Sequence, residues 1–225
     1  MKPFITIAQA RTVQGAELTL HEHDSHHFLR VNGQPLMGTN AVESEKMLAK
    51  LACDRLNGKK AARVLIGGLG FGFSLRTVLE CVGPEAVVDV AELLPEVVAW
   101  NREFMAGVNG LLLDDPRVRI TTGDVFRLMT QAPAGHYDAI LLDVDNGPMA
   151  MVQGGNARLY QDQGFTAIAH ALKPRGRVTF WSASEDAAFT KRLGKAGFKV
   201  EVVAAKAYPQ ARRAAHTIFV ADRRS

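Results

Sequence analysis

Three carboxylates stand just past the ends of short strand-like runs: Glu92 after Ala86–Ala91, Asp124 after Val118–Thr121, and Asp143, followed by Asp145, after Tyr137–Leu142. A fourth run, Val64-Leu65-Ile66, opens into Gly67-Gly68-Leu69-Gly70-Phe71-Gly72, with four glycines in six residues. Such a turn adopts backbone angles that other residues resist and lets a ligand lie against bare backbone. The helix that follows it offers free N–H groups. A carboxylate roughly twenty residues past a glycine turn can accept both hydroxyls of a ribose, which suits Glu92. Asp124 can accept an amine proton such as that of adenine N6. Asp143 and Asp145 make an acidic floor able to orient or deprotonate a second substrate. Each acid alone reads equally well as a helix cap or a solvated loop residue. The glycine spacing is not the dinucleotide G-x-G-x-x-G, although an NAD-type turn stays open on this feature alone, and a P-loop is excluded by the lack of Gly-Lys-Ser/Thr. The combination of three acids at successive strand ends beside a glycine turn points to ligand binding.

The elements that must position these residues alternate regularly. Strands over Val64–Gly67, Ala86–Ala91, Val118–Thr121, Tyr137–Asp143 and Arg177–Trp181 are separated by helices over Ser74–Cys81, Pro95–Met105, Val125–Thr130 and Gln161–Leu172. A helix over Asp186–Ala196 and strands Lys199–Val203 and His216–Ala221 complete the set. Alternation of this kind predicts a mainly parallel sheet covered on both faces. The last two strands have no helix between them and are expected to pair antiparallel at one edge. In such sheets ligands sit at the carboxyl ends of the strands. The first forty residues differ: Phe4–Ile7, Glu17–His21, His27–Val31 and Gln34–Met37 are short strand-like runs, with Asn32-Gly33 as a hairpin turn. They predict a small antiparallel β domain over residues 1–40, followed by a nucleoside-binding catalytic domain over 41–225. A helix over Ala41–Leu56, capped by Asn40, bridges the two.

Composition narrows the function classes. Lys plus Arg exceed Asp plus Glu by 27 to 23, too small an excess to imply nucleic acid. Arg212-Arg213 and Arg223-Arg224 read as solvated arginines. No run is long and apolar enough for a membrane span or signal peptide, so no membrane partner is expected and the expected location is cytoplasmic. Cys53 and Cys81 lie in apolar helical patterns without C-x-x-C spacing and read as free thiols. His21, His23, His26 and His27 form a cluster, but neither Cys nor H-E-x-x-H accompanies them, and no metal is expected.

The same residues carry a family resemblance. Val64–Gly72 resembles the nucleotide-binding motif of class I S-adenosylmethionine-dependent methyltransferases, and specifically of their spermidine synthase branch. Val90–Val98 is similar to that branch's ribose-binding segment, Asp115–Val118 with Gly123-Asp124 to its adenine-binding segment, and Tyr137–Asp143 to its catalytic strand. Leu159-Tyr160, Leu172-Lys173-Pro174 with Gly176, and Tyr208-Pro209 continue the match in order. The resemblance implies a Rossmann-like methyltransferase fold, with a mainly parallel seven-stranded sheet carrying an antiparallel edge strand, preceded by a small β-sheet. It implies S-adenosylmethionine, or its decarboxylated form, as the donor. Gly67, Gly68, Gly70, Gly72, Glu92, Leu93, Asp124, Val125 and Asp143 would hold that donor. Asp143, with Asp145 as understudy, would be the acid-base residue, and Tyr208 would line the acceptor pocket. A small-molecule acceptor and a homodimer are expected.

The departures shape the functional expectation. The branch normally places an acid in the glycine turn, where this chain has Gly70. Its Asp-Ser-Ser-Asp-Pro loop becomes Asp143-Val144-Asp145-Asn146-Gly147-Pro148, its Tyr-His-Glu segment becomes Ser44-Glu45-Lys46, and its Gln at the fifth strand's end becomes Trp181. With about three charged hydrogen bonds lost, each worth roughly 1.5–3 kcal/mol, Gly70, Asn146 and Lys46 would leave an ammonium unpaired or repelled, and putrescine and spermidine are expected to be poor acceptors. The first expectation is therefore methyl transfer to a small molecule. Aminopropyl transfer from the decarboxylated donor is the alternative, and a non-catalytic or RNA-binding relative is a third. The stretch Asn146–Asn156 is expected to close over the acceptor.

Overall fold

The computed structural model describes residues 3–56, 58–144 and 154–224. Its centre is a sheet of seven strands: β5 (Arg63–Gly67), β6 (Val87–Glu92), β7 (Val118–Thr122), β8 (Tyr137–Leu142), β9 (Leu172–Ser182), β10 (Phe198–Ala205) and β11 (His216–Arg223). They lie in the order β10-β11-β9-β8-β5-β6-β7. The strands β7, β6, β5, β8 and β9 are parallel, and β11 runs antiparallel to both β9 and β10. The antiparallel strand is thus second from the edge, with β10 outside it. Successive side chains of a strand point to opposite faces. Val64 and Ile66, Ala139 and Leu141, and Ile218 and Val220 accordingly enter one core. Leu65, Ile140 and Leu142, and Phe219 and Ala221 enter the other. Both faces are buried, which is why these runs are apolar without alternation.

Helices α1 (Glu43–Cys53) and α2 (Phe73–Cys81) cover the first face; α5 (Val125–Gln131), α6 (Asp162–Ala171) and α7 (Ala187–Lys195) cover the second. Between them in the chain come α3 (Pro95–Phe104) and the short α4 (Ala106–Asn109). Helix α1 is capped at Val42 without a side-chain hydrogen bond, so Asn40 does not play the part expected of it. Strand β9 begins earlier than its sequence suggests. It starts at Leu172 and not at Arg177, and the chain takes up Pro174 and Gly176 in a register shift between Tyr137 and Ala139 of β8, with Arg175 at φ 64°.

Ahead of this body stand β1 (Ile5–Arg11), β2 (Glu17–His23), β3 (His26–Val31) and β4 (Gln34–Gly38), an antiparallel meander in that order. Asn32 and Gly33 take positive φ, 49° and 77°, as the tight hairpin turn requires. Leu18, Leu20, Leu29 and Val31 alternate onto one face and share a core with Phe71, Phe73, Val97 and Trp100. The small sheet is therefore pinned against the glycine turn and α3. On its other face Phe4 stacks on His23 at 4.3 Å, and His21 hydrogen-bonds with Thr6 and Thr19. Among the described residues no three His, Cys, Asp or Glu side chains are grouped to hold a metal. Cys53 and Cys81 are free and meet between α1 and α2, where burial pushes the Cys53 thiol up to about 12. No described helix is long and apolar enough to cross a membrane.

Candidate active site

A cavity of about 300 Å³ opens at the carboxyl ends of β5, β6, β7, β8 and β9. Residues of the glycine turn, β6, the start of α5, the end of β8, the first turn of α1 and the small sheet all contribute to it. That is where a parallel sheet presents backbone N–H groups and helix N-termini to a ligand.

The glycine turn divides into two parts. Gly68 and Gly70 line the cavity. At Gly68 a Cβ would lie 2.2 Å from the carbonyl oxygen of Asp143, so only glycine lets β5 and β8 approach this closely. At Gly70, φ +53°, a Cβ would lie 3.5 Å from Met37 Sδ and 3.8 Å from Glu45 Oε1. Gly67 and Gly72 serve packing: a Cβ at Gly67 would strike Val125 and Leu142, and Gly72 precedes α2 against Leu112 and Asn101.

Glu92 ends β6 and is 7% exposed. Its Oε2 accepts the Leu69 N–H at 2.8 Å and its Oε1 the Leu94 N–H at 2.9 Å, so it ties the glycine turn to β6. Burial raises its pKa, and the surrounding backbone N–H groups oppose that rise. An ionised carboxylate has about four acceptor sites, and these two short N–H contacts take two of them. Leu93 and Val125 line the cavity beside it. Asp124 caps α5 through Oδ1, 2.8 Å from the Phe126 N–H, while its Oδ2 pairs with Arg158. The Arg158 guanidinium lies over the Phe126 ring at 4.3 Å.

Asp143 follows β8, and its N–H donates to the Gly67 carbonyl at 2.9 Å. Asp143 and Glu45 both line the cavity and are partly buried. Burial raises the pKa of both, and the charge of Asp143 raises that of Glu45 further. Glu45 reaches this place because α1 lies along one face of β9. Arg177, Thr179 and Trp181, each two residues apart on that face, hydrogen-bond Leu51 O (2.8 Å), Leu48 O (3.4 Å) and Ser44 Oγ (3.1 Å). A strand's period of two thus meets a helix's spacing of three to four. Lys46, one residue on, faces away and pairs with Glu43 at 2.8 Å. It is not among the cavity residues, and its charge acts on the site through Glu45, whose pKa it lowers against the larger effect of burial.

Of the remaining expectations, Tyr208 is 45% exposed and is not among the cavity residues. Asp145 lies outside the described residues, as does most of the Asn146–Asn156 stretch expected to form a gate. Trp181 does line the cavity, and His216 lies against it with ring centroids 4.7 Å apart. His216 was not legible as a site residue. It begins β11, and because β11 is antiparallel its first residue lies at the carboxyl ends of its neighbours.

The spermine/spermidine synthase domain model matches residues 42–213. Spermidine synthase 1 of Hyoscyamus niger is 35% identical over 127 residues, 56% of this chain and 37% of its own length. Putrescine N-methyltransferase 1 of Nicotiana tabacum is 35% identical over 116 residues, 52% of this chain and 29% of its own length. The matched stretch thus spans about a third of these relatives. A spermidine synthase crystallised with the transition state analogue AdoDATO superimposes with a TM-score of 0.77 at 21% identity, covering 96% of this chain and 73% of that one. The spermidine synthase of Thermotoga maritima gives 0.73 at 18% identity, over 96% and 72%.

Proposed function

Since this chain belongs to the spermine/spermidine synthase domain family, we propose that it transfers an aminopropyl group from decarboxylated S-adenosylmethionine to a small amine. One observation carries the choice of donor. The described cavity residues include four acids, Glu45, Glu92, Asp124 and Asp143, and no Lys or Arg. The carboxylate of intact S-adenosylmethionine would find no cationic partner there and would face two acids. A donor without that carboxylate presents only its ammonium. Glu45 Oε1 lies 3.8 Å from where a Cβ at Gly70 would stand, beside the position of the family's usual acid, and in this reading it receives that ammonium. A charge-assisted hydrogen bond of this kind is among the stronger ones a protein makes.

The donor supplies a carbon activated by positively charged sulfur. The protein supplies alignment and a proton acceptor. Glu92 takes the ribose hydroxyls, Asp124 the adenine amine, and Gly68 and Gly70 the close backbone contact. Asp143 accepts the proton that the acceptor ammonium must lose before its nitrogen can form the new C–N bond. Its raised pKa suits a base that works near neutral pH.

Methyl transfer from S-adenosylmethionine is the second reading, favoured by Gly70 in place of an acid and by the equal 35% identity to a putrescine N-methyltransferase. Incubation with each donor and an amine, read by mass spectrometry, separates the two. The expected product is the aminopropylated amine with methylthioadenosine. A methylated amine with S-adenosylhomocysteine, formed only from the intact donor, would overturn the assignment.

A further inference from the structure

The cavity wall next to Glu45 is aromatic and uncharged. The Trp181 indole is fixed by its N–H to buried Ser44 at 3.1 Å, and the His216 ring is tilted 40° against it. Met37 adds an apolar surface within reach of the same point over Gly70 as Glu45. We propose that this wall selects an acceptor with a single amine and a flat or apolar uncharged tail, an arylalkyl monoamine, over a diamine. The proposal rests on the transferase reading above and names the acceptor class for the same site.

Three observations lead there. First, the described acids are already engaged. Glu92 holds two backbone N–H groups, and Asp124 caps α5 and pairs with Arg158. Glu45 and Asp143 face the donor ammonium and the reacting nitrogen, which leaves no acid among the described cavity residues for a second acceptor ammonium. Second, His216 offers no acceptor for such a group. Burial holds its pKa down and favours the neutral ring. Its Nδ1 is sealed from water without a partner. A buried N–H without an acceptor is rarer than a buried lone pair, which puts the ring proton on Nε2. An N–H donor repels ammonium donors and accommodates an oxygen or an aromatic face. Third, the indole and imidazole are flat, and stacked or edge-to-face aromatic contact stabilises a ring beyond its area burial.

The test is calorimetric titration of 2-phenylethylamine, butylamine and putrescine into the protein, with and without saturating methylthioadenosine. The wild type is expected to bind 2-phenylethylamine about tenfold more tightly than putrescine. Trp181→Ala is expected to lose about tenfold for 2-phenylethylamine and little for butylamine. Trp181→Phe keeps an aromatic wall and is expected to keep the preference, which guards against a misfolded alanine variant. Putrescine binding as tightly as 2-phenylethylamine, or none of the three amines binding, overturns the proposal. So does a far ammonium resting on the indole face, which would appear as tight putrescine binding that Trp181→Ala abolishes. If methylthioadenosine fails to raise the melting temperature of the wild type, the transferase reading falls instead, and the nucleoside-free arm still ranks the amines.

Discussion

The Glu45 carboxyl in the first turn of α1 faces the Asp143 carboxyl past the end of β8, and the charge of Asp143 raises the pKa of Glu45. Two carboxyls so placed cannot both ionise cheaply in a site shielded from water, and the pair holds a proton into the neutral range. The pair therefore couples stability to pH. The folded pKa of Asp143 is pushed from an ordinary 3.8 up to about 7. A carboxyl with a raised folded pKa stabilises the fold while protonated and loses that contribution as pH rises. The ligand-free protein should therefore lose stability on this account between about pH 4 and 7. His21, His27, His136 and His216 have lowered pKa values and act in the opposite sense. The difference between wild type and Glu45→Gln isolates the pair. The variant should melt higher than wild type at pH 8, and the gap should close toward pH 4. A gap that is constant across this range would mean that the two carboxyls do not share a proton.

Glu92 illustrates a residue with two duties. Its carboxylate binds the turn to β6 before any ligand arrives, so Glu92→Gln should cost about 1–3 kcal/mol of stability as well as weakening nucleoside binding. Denaturant melts give the first quantity. Titration with methylthioadenosine, well below the melting temperature, gives the second. A variant as stable as wild type would remove Glu92 from the turn, and one with undiminished nucleoside affinity would remove it from the donor site.

The strand ends are readable because a parallel sheet buried on both faces favours apolar runs: Val64–Ile66 stops at the glycine turn, Ala139–Leu142 stops at Asp143, and Val87–Ala91, broken only by Asp89, stops at Glu92. Glu92 and Asp143 are visible as candidates from those ends, whereas Asp124 follows the mixed edge strand Val118–Thr122 and is visible from its place between that strand and α5. Helix phase was harder to read. Glu45 and Lys46 differ by one residue, about 100° around a helix, and only the lock of Ser44, Leu48 and Leu51 onto β9 decides which faces the cavity. Sequence alone treats the pair as one altered segment and does not separate Glu45, which lines the cavity, from Lys46, which pairs with Glu43 and acts on the site only through its charge. His216 was hidden for a different reason: the first residue of a strand reaches the ligand end only if that strand runs antiparallel.

Base recognition by Asp124 has a sharp signature. Its Oδ1 is committed to the α5 cap and its Oδ2 faces Arg158. In Asp124→Asn the amide oxygen can keep the cap, and the outer position becomes an N–H donor. The wild type should bind methylthioadenosine better than methylthioinosine, whose base carries an acceptor oxygen where adenine carries its amine. Asparagine should shrink or invert that ratio, by about tenfold for one exchanged hydrogen bond. Calorimetric titration of both nucleosides against both proteins measures it. An unchanged ratio would mean that Asp124 caps α5 and pairs with Arg158 without reading the base.

Asp143→Asn bears directly on catalysis. The substitution keeps the shape of the side chain and the backbone bond to Gly67, but it removes the proton acceptor. Turnover at saturation should fall by about two to four powers of ten, with nucleoside affinity nearly unchanged. Its pH profile adds a readout that a purely structural role would not move. The wild-type rate should rise with pH as the pair gives up its proton, because the base acts only when ionised. In the variant Glu45 no longer faces a charged neighbour, its pKa falls, and the rise near neutrality should disappear. Binding of the donor ammonium to Glu45 should then hold or strengthen, which separates loss of the base from collapse of the site. If the variant instead loses nucleoside and keeps its saturated rate, Asp143 is a donor ligand. The proton acceptor would then have to come from Asp145, which lies outside the described residues, because Tyr208 is not among the cavity residues.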